Sequence, residues 1–233
     1  MKIALFGYGK MGKTIERIAI ERGHEIVAKI DIDTASYDIT IADVAIDFST
    51  PSAAFDNINK CFTNNIPIIS GTTGWLDNYN NIIENCHKKN GAFIYASNFS
   101  LGVNLFFELN TKLAKMMRSF ESYTIDLEEI HHTQKLDAPS GTAITLAKDI
   151  IENSDKEIWS LAVTNNSKEL PIVSKRIENV PGTHTVRYTS IVDEIEIKHT
   201  AKNRDGFALG AVIAAEWLQG KKGVFTMKDV LGI

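Results

Sequence analysis

Residues 1–12 read MKIALFGYGKMG, and they decide the fold. Lys2–Phe6 is a short apolar run stopped by glycine, the pattern of a buried strand. Gly7-Tyr8-Gly9-Lys10-Met11-Gly12 follows directly and fits G-x-G-x-x-G. Apolar residues then recur at Met11, Ile15, Ile18 and Ala19, a helical spacing that Gly23 ends. In a strand–turn–helix order each glycine has a reason: Gly7 permits the tight turn, Gly9 lets a pyrophosphate approach, and Gly12 allows close helix–strand packing. The helix N-terminus offers its amides to phosphate. A turn that needs glycine for packing alone is the competing reading.

Outward from this stretch the pattern repeats. His24–Ile30 (HEIVAKI), Val44–Phe48, Ile66–Ile69 and Ala92–Ala96 read as further strands, with helices over Met11–Arg22, Pro51–Phe62 and Leu76–Lys89 between them. Short apolar strands in β-α-β order imply a parallel, doubly wound sheet. Asp31 closes the second strand, where an acid bonds the ribose hydroxyls of a dinucleotide; Asp33 competes for that role. A carboxylate repels a 2′-phosphate and Ile32 offers no arginine to hold one, so NADH is favoured over NADPH. Lys10 leaves dual use open. Asp47–Pro51 (DFSTP), Ser70–Gly74 and Ala96–Ser100 end later strands on the edge where such sheets bind ligands, which makes Gly71, Thr72, Thr73, Ala96, Ser97, Asn98 and Phe99 candidates for cofactor contact. Each loop is also a good helix cap, Thr50 before Pro51 for instance.

The pattern changes after Ser100. Leu101–Met117 reads as a helix, Tyr123–His131 as a strand and Pro139–Asn153 as a helix; SLAVTN (160–165), THTVRYTSIV (183–192) and EIEIKHTA (194–201) are β-type runs with a turn at 192–194. Phe207–Leu218 is too apolar to lie alone on a surface and is expected to return to the first domain, with Gly223–Ile233 as a short tail. The expected fold is therefore α/β: a Rossmann-type doubly wound parallel-sheet domain over residues 1–99 plus about 206–233, and a second α+β domain with a mixed or antiparallel sheet over 100–205.

Composition narrows the function. A chain of 233 residues with 44% hydrophobic and 23% charged residues is an ordinary globular protein, and a net charge of −4 without basic runs argues against nucleic-acid and anionic-membrane partners. No apolar run approaches the roughly 20 residues of a membrane span, and Ile3–Phe6 is too short for a signal peptide core. Cys61 and Cys86 lack metal-site spacing. They read as reduced thiols of a cytoplasmic protein with no metal centre.

Residues 131–142, HHTQKLDAPSGT, hold two of the six histidines. Histidine as a residue type can give or take a proton near neutrality, and beside His131 and His132 Lys135 adds a cation, a cluster suited to an anionic substrate and a protonation step. Asp137–Thr142 looks like a helix start with Pro139 in the first turn, so the amides of Gly141 and Thr142 would meet a carboxylate. Adjacent side chains at a strand end point to opposite sides, so the two histidines need not share a task. Hydride cofactor, cationic acid groups and an anion-binding helix end together describe a reductase of a carboxylated substrate.

Glu129–Ala143, EIHHTQKLDAPSGTA, closely resembles the signature of the 4-hydroxy-tetrahydrodipicolinate (dihydrodipicolinate) reductase family, with GYGKMG, DFSTP, GTTG at 71–74 and ASNFSLGVN at 96–104 in the family's order. The resemblance implies NAD(P)H-dependent reduction of a cyclic imine dicarboxylate in the diaminopimelate route to lysine. It implies His131 as acid/base, Lys135 as proton donor, and His132, Gly141, Thr142 and Arg204 as carboxylate ligands. Gly7, Tyr8, Gly9, Lys10, Met11, Gly12, Asp31, Gly71–Thr73 and Ala96–Phe99 would form the cofactor site, and the second domain would bind substrate and assemble a cytoplasmic homotetramer. The segment between the second and third strands is shorter than in many members, and Val180-Pro181 departs from the family within RIENVPGTHTV (176–186), a segment expected to touch neither site. Another two-domain NAD(P) dehydrogenase of amino or oxo acids, and a non-catalytic NAD-binding module, are the alternatives.

Overall fold

A computed structural model describes residues 1–161 and 166–233. They form two compact units, Met1–Leu101 with Arg204–Ile233, and Gly102–Asn203.

The first unit is built on β1 (Lys2–Phe6), β2 (Glu25–Ile30), β3 (Val44–Asp47), β4 (Ile68–Ser70) and β5 (Ala92–Tyr95), all parallel. Each of these strands is followed or preceded by a helix: α1 (Lys10–Glu21), α2 (Pro51–Thr63) and α3 (Tyr79–Lys88), the last after a 3-10 turn at Leu76–Asn78. Strand residues alternate between two apolar layers. Ile3, Leu5, Val44 and Ile46 face the layer that holds Ile15 and Ile18, whereas Ala4, Phe6 and Ala45 face Ile58 and Phe62. The two-residue period of a strand thus feeds both faces of one sheet, which is why these runs are apolar throughout.

The C-terminal segment completes this unit. Helix α6 (Asp205–Leu218) packs beside α1, and Ala208, Ala211, Val212 and Ala215 are fully buried there. Gly210 brings its backbone onto the Phe99 carbonyl, where a Cβ would lie only 1.8 Å from the oxygen. Gly223–Ile233 is more than a tail. Gly223–Phe225 forms β11, which joins the sheet edge beside β5 in the order β11-β5-β4-β3-β1-β2. Helix α7 (Met227–Leu231) follows behind a Thr226/Asp229 capping box. Three residues, the first a glycine, carry too little periodicity to mark that strand.

The second unit holds α4 (Leu101–Met117, which begins at the unit boundary), β6 (Thr124–His131), α5 (Gly141–Glu152), β7 (Ile158–Leu161), β8 (Glu169–Arg176), β9 (Gly182–Thr189) and β10 (Glu194–Ala201). Its mixed sheet runs β10-β9-β6-β8-β7, with β6 antiparallel to β9 and parallel to β8. In the run SLAVTN only Ser160 and Leu161 fall on β7, and 162–165 lie outside the described residues. Leu127, Ile172, Val186 and Tyr188 face Ala143, Leu146, Ala147 and Ile150 of α5 across a dry core. Pro139 does not sit in the first turn of α5. It precedes the cap, Ser140, whose Oγ accepts from the Ala143 amide.

Gly210→Ala should lower stability by about 1–3 kcal/mol, because α6 must move off Phe99 to admit a methyl group. Urea unfolding checks this; a neutral or stabilised variant, the usual result for glycine-to-alanine in a helix, would contradict the packing.

Candidate functional site

The glycine turn closes one end of a cleft of about 390 Å³ in the first unit, lined by Gly7, Gly9, Asp31, Thr34, Tyr37 and Ser49 among others. Gly7 has φ +85° and donates its amide to the Ile30 carbonyl, and a Cβ on it would meet the Phe48 carbonyl oxygen at 2.1 Å. A Cβ on Gly12 would meet the Gly7 oxygen at 2.2 Å, while Gly9, the residue capping α1, faces open space. This is the cradle a pyrophosphate needs: two glycines fold the turn and the third leaves room. Asp31 is exposed at the end of β2 and lines the cleft, whereas Asp33 does not.

The other cofactor candidates divide by exposure. Lys10, Thr73 and Ser97 are exposed, and Gly71, Ala96 and Asn98 half-buried, on the strand-end loops. The Tyr8 hydroxyl is bonded to Glu16 and its ring carries Lys29. The Phe99 side chain is buried in the core, which leaves its backbone to meet a ligand, and Met11 is half-buried against the same core. The Thr72 hydroxyl is likewise committed, donating to Asp47 at 2.8 Å and accepting from the Ser49 amide. Asp47 escaped the sequence reading as an organiser. Fully buried, it accepts from Ser49, Ser70, Thr72 and Asn57, and so ties the ends of β3 and β4 to both loops and α2. Thr50 caps α2 by position only, for its hydroxyl makes no cap bond.

In the second unit the sheet register builds a ladder across three strands. Leu127, Glu129 and His131 share one face of β6, by the two-residue period. Opposite them on β8 stand Ile172, Ser174 and Arg176, and on β9 Val186 and His184 pair with Leu127 and Glu129. One row is dry; the next two are polar. Glu129, fully buried, accepts from Ser174 Oγ at 2.8 Å and from the Ser140 amide at 3.0 Å, while Ser140 Oγ meets His184 Nε2 at 3.1 Å. The His131 ring lies 5.1 Å from the His184 ring, with Nδ1 3.5 Å from Glu129 Oε2, and Gly182 leaves room for it, since a Cβ there would stand 3.2 Å from Nε2.

Beyond His131 the chain leaves the sheet. His132 is half-buried, Lys135 pairs with both oxygens of Asp137 at 2.8 Å, and Gly141 and Thr142 begin α5. Gly141 is exposed, and a Cβ there would meet open space. His131, His132, Lys135, Gly141 and Thr142 therefore share one unit and one loop, whereas Arg204 stands exposed before α6 in the first unit. The expectation that residues 176–186 touch neither site is overturned for Arg176, Gly182 and His184, all of which border His131 or Lys135. Their local signal is faint: the face that carries them runs Ile172, Ser174, Arg176 on β8 and Val186, His184, Gly182 on β9, polar only toward its end.

Electrostatics follows from burial. Desolvation alone would raise the Glu129 carboxyl, but hydrogen bonds from His184, Ser140 and Ser174 prevail and hold it well below the carboxylate range. Burial pushes His131 down to about 4; the neighbouring His184, Lys135 and Arg176 charges lower it further, against the opposing pull of Glu129. Glu129, His131 and His184 place three ligand-type atoms within 4.8 Å of one another. Both Glu129 oxygens are already occupied and the Arg176 guanidinium lies 3.5 Å away, so the cluster reads as a hydrogen-bonded network.

Known proteins share this arrangement of sequence and fold. Residues 33–99 match the family described as dihydrodipicolinate reductase, N-terminus, and residues 102–231 its C-terminal counterpart. The chain is 62% identical over 234 positions to the 4-hydroxy-tetrahydrodipicolinate reductase of Christiangramia forsetii, covering 99% of this chain and 98% of that one. It is 36% identical to that of Thermosipho africanus, over 99% and 98%. Its fold matches a dipicolinate-bound dihydrodipicolinate reductase from Paenisporosarcina sp. TG-14 with a TM-score of 0.78, 23% identity and 97% of each chain covered.

A histidine held neutral in the fold costs stability once the unfolded chain can protonate it. Between the ordinary value of 6.5 and about 4 the unfolded state binds the proton first, so the stabilisation present above pH 6.5 is lost as pH falls through that window. Urea unfolding at pH 7 and 4.5 should show a loss at least 1 kcal/mol larger in the unaltered protein than in His131→Gln. Equal losses would mean that His131 is not held neutral.

Proposed function

The chain belongs to the dihydrodipicolinate reductase family, and from that premise we propose that it reduces 4-hydroxy-tetrahydrodipicolinate to tetrahydrodipicolinate, with His131 and Lys135 managing the proton. The single observation that carries this reading is one loop: it leaves β6 at His131, bears Lys135, and returns as the open N-terminus of α5. Such a loop offers cations and helix-end amides to a dianion within a few residues.

The reaction adds a hydride and a proton and releases the substrate hydroxyl as water. Gly7, Gly9 and Asp31 would hold a reduced nicotinamide dinucleotide at the cleft, and its chemistry there would be hydride donation. The chain does the rest. The Gly141 and Thr142 amides and His132 hold the substrate's carboxylates. Lys135, its ammonium released from Asp137 by the incoming dianion, delivers the proton. His131 enters this step neutral, as an acceptor that orients the transfer rather than as a second cation, which refines its expected role as acid/base.

NADH is the favoured cofactor. Asp31 lines the cleft, Ile32 follows it, and none of the residues lining the cleft is cationic among those described. A 2′-phosphate would meet the Asp31 carboxylate without compensation. We further read the protein as a cytoplasmic homotetramer assembled through the second unit's sheet. Edge strand β10 and the turn before it leave Ile191, Val192 and Ile195 exposed, and no helix among the described residues is long and apolar enough to cross a membrane.

Initial rates with enzymatically generated cyclic imine should favour NADH by at least about tenfold in kcat/KM, the effect of one repelled phosphate. His131→Gln with Lys135→Ala should lose turnover while still binding NADH. Activity surviving in that variant would refute the proton-transfer roles, and better use of NADPH would refute the reading of Asp31. Light scattering should give four times the 25.8 kDa chain mass; a single-chain mass would refute the tetramer.

A further inference from the structure

Arg176 takes no part in the reaction as described, yet two of its three guanidinium nitrogens are bonded to the loop that does. Nε donates to the Lys135 carbonyl at 3.2 Å, Nη2 to the Asp137 carbonyl at 2.6 Å, and Nη1 to the Lys175 carbonyl at 3.0 Å. The same Nη1 lies 3.5 Å from Glu129 Oε1. One side chain therefore spans the backbone on both sides of Leu136, which itself is 97% exposed and contributes no anchoring contact. Within 132–138 the other backbone bond is the local turn from Lys135 N to His132 O.

Glu129 is the brace. It is fixed from three directions, by Ser174 on β8, by the Ser140 amide at the start of α5, and by the arginine. The sheet register puts Arg176 directly opposite His131, and the Ile177 amide donates to the His131 carbonyl at 2.8 Å. His131, Lys135 and the α5 cap are thus referred to one buried carboxylate. We propose that Arg176, braced by Glu129, is a positioning residue for the proton-transfer pair: it straps the 132–138 loop so that Lys135 stands at a fixed place relative to His131. Lysine cannot replace it, because one ammonium cannot reach two carbonyls and a carboxylate in that fork geometry.

The inference rests on the reductase reading, so its test has one arm that needs no turnover. In Arg176→Met and in the charge-retaining Arg176→Lys, deuterium uptake by peptides covering 132–138 should rise about tenfold in rate, with β1–β5 unchanged. In both, kcat should fall about 10- to 100-fold, the scale of an ångström-level misplacement of a reacting group, while KM for NADH stays within twofold. Full activity in Arg176→Lys, or uptake equal to that of the unaltered protein, would overturn the strap; so would kcat and NADH affinity falling together, the mark of a general structural defect. Failure of the unaltered protein to reduce the cyclic imine would instead overturn the reductase reading, and the exchange rates would still judge the strap.

Discussion

A carboxylate taken out of water must be compensated where it stands, and in the second unit that carboxylate is Glu129. It sits one row beyond the apolar Leu127–Ile172–Val186 row of the same sheet face, where a dry core gives way to polar side chains. Desolvating a charge costs several kcal/mol unless donors surround it. The donors are Ser174 on β8 and the Ser140 amide at the start of α5, and the Ser140 hydroxyl in turn meets His184 of β9, so satisfying one side chain ties three elements together. Asp47 does the same in the first unit, drawing four side-chain donors to the edge where β3 and β4 end. In both units the ligand-facing loops are tied down by a buried anion behind them rather than by contacts among themselves.

The same constraint explains what the sequence made legible. The glycine turn, the strand–helix alternation and the start of α5 are local: each depends on residues a few positions apart, and each reads directly from spacing. Glu129 with His131, the histidine pair, Lys135 and the Asp137–Thr142 segment also lie within one short stretch, so the catalytic candidates could be named. Arg176, Ser174 and His184 could not, because they reach Glu129 or the Lys135 loop across 39 to 55 positions, through a register that a one-residue slip would invert. The donors of Asp47 lie up to 25 positions away, and the same reasoning hid them. Strand β11 was missed for another reason: three residues show no period, and only the open edge of β5 makes them a strand.

Burial also sorts the proton carriers. His131 stands on the last rung of β6, close enough to the core to lose its charge, whereas Lys135 stands on the loop beside Asp137. Burial thereby holds His131 neutral at neutral pH, the state in which an imidazole serves as an acceptor. The double histidine resolves similarly. His131 turns toward Glu129 and the sheet, and His132 begins the loop that leads to α5.

The ring state of His131 tests this arrangement most directly. Nitrogen-15 NMR of histidine-labelled protein, with the resonance assigned by its absence in His131→Gln, reports whether that imidazole is neutral or protonated at pH 6. A neutral ring at pH 6, when an ordinary histidine is largely protonated, is the expected result. An imidazolium there would contradict the buried-carboxylate account and make His131 itself the proton donor.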